Sequence, residues 1–133
     1  MIINKFLILI ISLIMGSLYF PLNKRKSKYY WESKIDSKIP LISIFILPYL
    51  FYFLFFPLSI IILYNTKFVV EFLIVLTIGN LINSIFWYVF PNGVKRPKIV
   101  PKIFFDKLVF NLYKRDKYDT NGFPSAHVFH TLI

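Results

Sequence analysis

Residues 41–64 carry no Asp, Glu, Lys or Arg in 24 successive positions. A helix of that length crosses the roughly 30 Å hydrocarbon core of a bilayer with some tilt. Lipid offers the backbone no partners, and a helix satisfies its own. Pro48 and Pro57 fall inside the run and are expected to kink it, which membranes tolerate where neighbouring groups take up the freed carbonyls. Asn65, Thr66 and Lys67 follow as a tight turn, so a second span over residues 68–90 is expected to run antiparallel. Glu71 stands four residues after Lys67 and is expected to pair with it instead of facing lipid. Thr77, Asn80, Ser84 and Trp87 recur at i, i+3, i+7 and i+10, with Asn83 beside them. This stripe is expected to face other helices as polar glue, and Gly79 lets them come close.

Residues 1–20 are apolar apart from Asn4, Lys5, Ser12 and Ser17. The stretch is long enough for a first span or signal anchor. A lysine, a short apolar core and the small pair Gly16-Ser17 also fit a signal peptide; the uncleaved span is the expectation retained. Composition agrees, since 57% of residues are hydrophobic against roughly 45–50% in soluble domains. The expected fold class is all-α, a multi-span transmembrane helical bundle. Its divisions are the span at 1–20, a basic connector at 21–40, and a membrane domain at 41–133. Within the last, 91–123 is a long connector and 124–133 the start of a further span.

The formal net charge is +10, and there is no cysteine. No disulfide or thiolate metal site can form, and the two histidines lack carboxylates at ligand spacing, so neither a metal nor a cofactor is expected. The charge suits anionic partners; the hydrophobic spans argue for lipid head groups and against nucleic acid. Residues 21–40 hold six basic residues and 91–123 hold eight, fourteen of the sixteen in the chain. Tyr29, Tyr30 and Trp31 sit among the first set, as an aromatic belt at a bilayer surface would. In the second connector Phe105, Leu108, Val109 and Leu112 keep the spacing of an amphipathic helix. With lysines opposite, such a helix can lie in the head-group region.

Two short segments carry chemistry. Phe90 to Pro97 reads FPNGVKRP, and Asn121 to His127 reads NGFPSAH before an apolar run. Gly122 and Pro124 break regular structure, so a helix is expected to start near Ser125. Its unpaired N–H groups and positive dipole end favour a phosphate. His127 offers a proton near neutral pH, and Arg96 offers a fork that fits phosphate oxygens.

Arg96-Pro97 followed by Pro124-Ser125-Ala126-His127 resembles the type 2 phosphatidic acid phosphatase superfamily of membrane phosphatases and phosphotransferases. That family carries K-x6-RP, PS-x-H and SR-x5-H-x3-D. The second motif is complete here, the first is partial, and the third is missing. Val89 stands where the first motif has lysine, although Phe90 to Pro97 fits the FP-x4-RP form of the inositol-phosphotransferase-like branch. Asp36 to Pro40 also resembles the D-x-x-IP lead-in of some members. The resemblance implies a lipid phosphate or phospholipid substrate, His127 as general acid, and phosphate binding by Arg96, Ser125 and the Ala126 amide. Lys95 or Lys98 would restore the missing positive charge. The family's nucleophilic histidine sits in the absent third motif. His130 cannot replace it, lying on the same helix as His127, and is expected to be a packing residue. The chain is therefore expected to be the N-terminal part of such an enzyme, inactive alone.

Two alternatives stay open: a non-catalytic membrane protein with a basic loop for anionic lipid, and a small structural membrane subunit. Sidedness is contested as well. The positive-inside rule puts both basic connectors in the cytosol, whereas the resemblance puts the site on the extracytoplasmic or lumenal face; the latter is the expectation retained.

Overall fold

The computed structural model describes residues 4–31, 33–116 and 118–133. Residues 1–3 of the expected first span, and Glu32 and Lys117 of the connectors, lie outside the described residues. The chain is mostly helical, and three of its segments are long and apolar enough to cross a membrane: Lys5–Asn23, Ser43–Leu63 and Val69–Val89.

The first segment consists of α1 (Lys5–Ser17) and α2 (Tyr19–Asn23). Asn4 caps α1 by accepting from the Phe6 and Leu7 amides. Pro21 has no N–H to give the Ser17 carbonyl, so the helix resets at Leu18 and continues as α2. The helical segment thus ends at Asn23, beyond the boundary expected at residue 20. In the second segment a 3₁₀ turn (Ser43–Phe45) leads into α3 (Ile46–Leu63). Helix α4 is Val69–Val89. Pro48 falls in the first turn of α3, where an N–H would have no helical partner, so only Pro57 interrupts the ladder.

Helices α1 and α4 run side by side in the same direction and make the main helix contact. Ser12 on α1 is buried, 2.5 Å from the Thr77 hydroxyl, and both hydroxyls reach the Leu73 carbonyl. Further along, Tyr19 meets Trp87 edge to face. Below this seam Val69, Leu73 and Leu76 form the apolar core with Ile8, Leu9 and Phe56. The turn after α3 closes through the Thr66 amide on the Leu63 carbonyl, sending α4 back antiparallel as expected. The polar stripe on α4 faces inward: Asn80, Asn83, Ser84 and Trp87 are buried. The expected Lys67–Glu71 pair does not form. Lys67 lies over the Phe68 ring, and Glu71 is exposed in the first turn of α4, where the helix dipole favours a carboxylate.

The two connectors meet at one end of the bundle. Strand β1 (Tyr29–Tyr30) pairs in parallel with β2 (Asn92–Gly93), and Gly93 also bridges to Thr120. The all-α expectation misses this small sheet. Asn92, 1% exposed, organises it. Its side-chain amide donates to the Phe90 and Phe123 carbonyls, and its oxygen accepts from the Phe123 amide. Gly93 is needed because a Cβ there would sit 2.6 Å from the Ser27 hydroxyl and 2.8 Å from the Asp119 carbonyl. Thr120 donates to the Asn23 carbonyl at 2.6 Å, tying the long connector to the end of α2.

Helix α5 (Phe104–Arg115) has the expected face: Val109 is buried, with Phe105, Leu108 and Leu112 half-buried. That face rests on the start of the second segment, where the Ser43 hydroxyl donates to Asp106. Asp106 also accepts from the Lys102 and Ile103 amides, and these bonds, the Ser43 hydroxyl first, hold its carboxyl below the usual range. Helix α6 (Ala126–Leu132) runs back down α4. Its Phe129 ring occupies the space beside Gly79, where a Cβ would come within 1.8 Å of it.

Candidate functional site

Arg96, Lys95, Ser125, Ala126 and His127 lie at or next to the connector end of the bundle. Ser125 is the N-cap of α6 and accepts from the Val128 amide at 3.4 Å, so the helix starts where Gly122 and Pro124 place it. Trp87 donates to the Pro124 carbonyl at 3.2 Å, fixing that start against the end of α4.

His127 and His130 project from α6 into a cavity of about 390 Å³ enclosed by α1, α2, α3, α4 and α6. Its walls are mostly apolar. His130 is a packing residue, as expected: Nε2 lies 2.9 Å from the Asn80 oxygen, Nδ1 bonds the Tyr52 hydroxyl, and the ring stacks on Phe56. His127 is held by aromatic rings alone. It stacks on Tyr49 at 4.9 Å and lies against Tyr52 at 4.4 Å. Its Nε2 is buried with no hydrogen-bond partner among the described residues. A buried polar atom left unpaired costs stability, so it marks a place where an incoming donor or acceptor is rewarded.

Arg96 lies in a different recess. One guanidinium nitrogen donates to the Asp116 carboxylate at 2.5 Å and to the Tyr118 carbonyl at 2.6 Å; the other donates to the Asp116 carbonyl. The Tyr113 ring lies 5.0 Å beneath. Asp116, at the end of α5, also accepts from the Asn23 side chain at 3.2 Å. The recess, about 320 Å³, is lined by Arg96, Asp116, Tyr113, Ser43 and Tyr49. A third, open groove of about 730 Å³ runs between the connectors, past Trp31, Asp36, Lys95 and Arg96. Lys95 is exposed on its rim.

Arg96 and His127 therefore occupy the same end of the bundle without sharing a cavity. Tyr49 connects them, walling both the histidine cavity and the arginine recess. Neither Tyr49 nor Asp116 was singled out from the sequence. Asp116 could have been noticed as a lone acid among Lys114, Arg115 and Lys117 at the end of an amphipathic run. Tyr49 is one aromatic among many in residues 41–64, and nothing local marks it. Among the described residues no three His, Asp or Glu side chains gather as metal ligands.

No protein-family model matches the chain, and neither a curated protein nor a solved structure matches it. What can be said of the site rests on its residues.

Proposed function

We propose that the chain is a multi-pass integral membrane protein that binds the phosphate of a lipid at its connector end, in the manner of the type 2 phosphatidic acid phosphatase superfamily. The observation that carries this is Tyr49, whose ring stacks on His127 and which also lines the Arg96 recess. A phosphate at that rim meets the guanidinium on one side and the imidazole on the other. Arg96, Lys95, Ser125 and the Ala126 amide hold the non-bridging oxygens. When a nucleophile from outside these residues attacks phosphorus on the far side and forms the new bond, His127 would give its proton to the alcohol oxygen as the old P–O bond breaks. The attacking histidine of that family has no counterpart among these 133 residues. The role assigned to this chain is substrate binding and leaving-group protonation, with the site on the extracytoplasmic or lumenal face.

A second reading is favoured by one specific feature. The β1–β2 pairing fuses two connectors that hold fourteen of the sixteen basic residues. Such a cap attracts anionic lipid without any catalytic group. The two separate in one experiment, in which the purified chain in nanodiscs is titrated with phosphatidic acid. Phosphate capture at the site predicts that Arg96→Ala weakens binding about tenfold, as loss of a charge-assisted bond does, and that His127→Ala weakens it as well. Binding that ignores both substitutions and falls only with salt would establish the non-catalytic cap and discard the phosphatase-like site.

A further inference from the structure

The apolar face of α5 is already taken. Phe105, Leu108, Val109 and Leu112 rest on the start of the second apolar segment, so the face whose spacing suits lipid is spent on the protein. Other apolar residues stay open at this corner. Val100, Ile103 and Phe104 are 72%, 57% and 65% exposed, and Lys98, Lys102 and Lys107, close by in the chain, are exposed as well. Pro97 and Pro101 stiffen the approach by fixing φ. Asp106 accepts from the Lys102 and Ile103 amides at 3.1 and 3.2 Å. Phe104 braces edge-on against Phe105, with centroids 5.6 Å apart. The exposed side chains thus stand on a held turn, and presenting them to a partner costs little further ordering.

The same carboxylate sets their level. Asp106 accepts from the Ser43 hydroxyl, and Ser43 opens a segment long and apolar enough to cross a bilayer. The first residues of a span lie at the bilayer surface, so the turn at 100–104 stands at head-group height.

We propose that this turn is a bilayer-docking surface, in which Val100, Ile103 and Phe104 enter the interfacial layer and Lys98, Lys102 and Lys107 meet anionic head groups around them. This rests on the reading that the second segment crosses a membrane. The apolar side chains gain by leaving water, and each lysine near an anionic surface adds attraction. Together they fit a leaflet that carries anionic lipid, whichever side the connectors face. Docking there holds down the connector that carries Arg96.

The chain has no cysteine, so Val100→Cys gives a single attachment point for a fluorophore, at a side chain that packs against little. The purified chain is reconstituted in vesicles of phosphatidylglycerol and phosphatidylcholine containing a nitroxide lipid. The nitroxide sits either near the head group or near the tip of the acyl chain. The probe at position 100 is expected to be quenched by the shallow nitroxide and about threefold less by the deep one. Shallow quenching should fall about threefold in pure phosphatidylcholine, and equally when Lys98→Gln, Lys102→Gln and Lys107→Gln are combined. A second probe, attached through Leu54→Cys in the middle of α3, reads the span itself and should be quenched best by the deep nitroxide. If the probe at 54 is quenched and the probe at 100 is not, the docking surface is overturned while the span stands. Shallow quenching that ignores both lipid charge and the glutamine variant overturns the pairing with anionic head groups. If the deep nitroxide leaves the probe at 54 unquenched, the span falls, and the docking surface with it.

Discussion

The His127 imidazole lies parallel to the Tyr49 ring within 29°, with centroids 4.9 Å apart. Tyr49 lines both the α6 cavity and the arginine recess. Tyr49→Phe keeps the ring and is expected to leave the melting temperature nearly unchanged. Tyr49→Ala removes the ring and is expected to cost about 1–3 kcal/mol in lost ring contacts, read from thermal or denaturant unfolding in detergent. A Tyr49→Ala chain as stable as the wild type would show that the ring contact with His127 does not support the packing of α6.

The Phe129 ring of α6 fills the space beside Gly79 of α4 that a Cβ would need. Gly79→Ala is expected to displace the Phe129 ring and destabilise by roughly 1–3 kcal/mol. Combining it with Phe129→Leu should recover part of the loss. If the single substitution changes nothing, α6 does not dock on α4 through this ring.

Asn92 supports the connector end with three hydrogen bonds from a fully buried amide. Asn92→Ala leaves the Phe90 and Phe123 carbonyls and the Phe123 amide unpaired, at about 1–3 kcal/mol for each buried group that finds no water. Asn92→Asp loses the donor and is expected to behave as badly. Limited proteolysis is the sensitive measurement: residues 94–103 and 118–124 should become cleavable in either variant, with the helical signal retained.

Asp106 gives a pH dependence with a definite sign. The Ser43 hydroxyl first, then the Ile103 and Lys102 amides, hold its carboxyl below the unfolded value of 3.8. A depressed carboxylate contributes stability that is fully present above the unfolded value and is lost as pH falls through the folded one. The docking of α5 should therefore hold from neutral pH down to about 3.8 and loosen only below it. Ser43→Ala is expected to move the Asp106 titration upward, measured by carboxyl carbon NMR. An unmoved titration would mean the hydroxyl does not hold the carboxylate.

Legibility in the sequence divides along physical lines. Helices α3 and α4 are readable because residues 41–64 give 24 uncharged positions and residues 68–90 give 23 with a single charge at Glu71, runs that favour a helix. The inward face of α4 is readable too, since Thr77, Asn80, Ser84 and Trp87 repeat at helical spacing. The start of α6 at Ser125 follows from local turn and capping chemistry. What could not be read depends on residues far apart in the chain. The β1–β2 register joins positions more than sixty apart through two residues each, too few for any periodicity. Arg96 finds Asp116 twenty positions on, through a bend after α5 that carries no pattern. Whether the His127 side chain meets that arginine or the aromatic wall of Tyr49 depends on how α6 is rotated about its axis, and no short motif specifies that.

The parallel stitch between Tyr29–Tyr30 and Asn92–Gly93 means that covalent continuity between residues 31 and 46 is not what holds the first helical segment in place. A chain nicked there keeps its leading fragment through the long α1–α4 seam at one level and the strand pair at another. The molecule could be supplied as two polypeptides, residues 1–33 and 34–133, that find each other through those two contacts. Such a split form would allow either half to be labelled or exchanged while the other stays as it is.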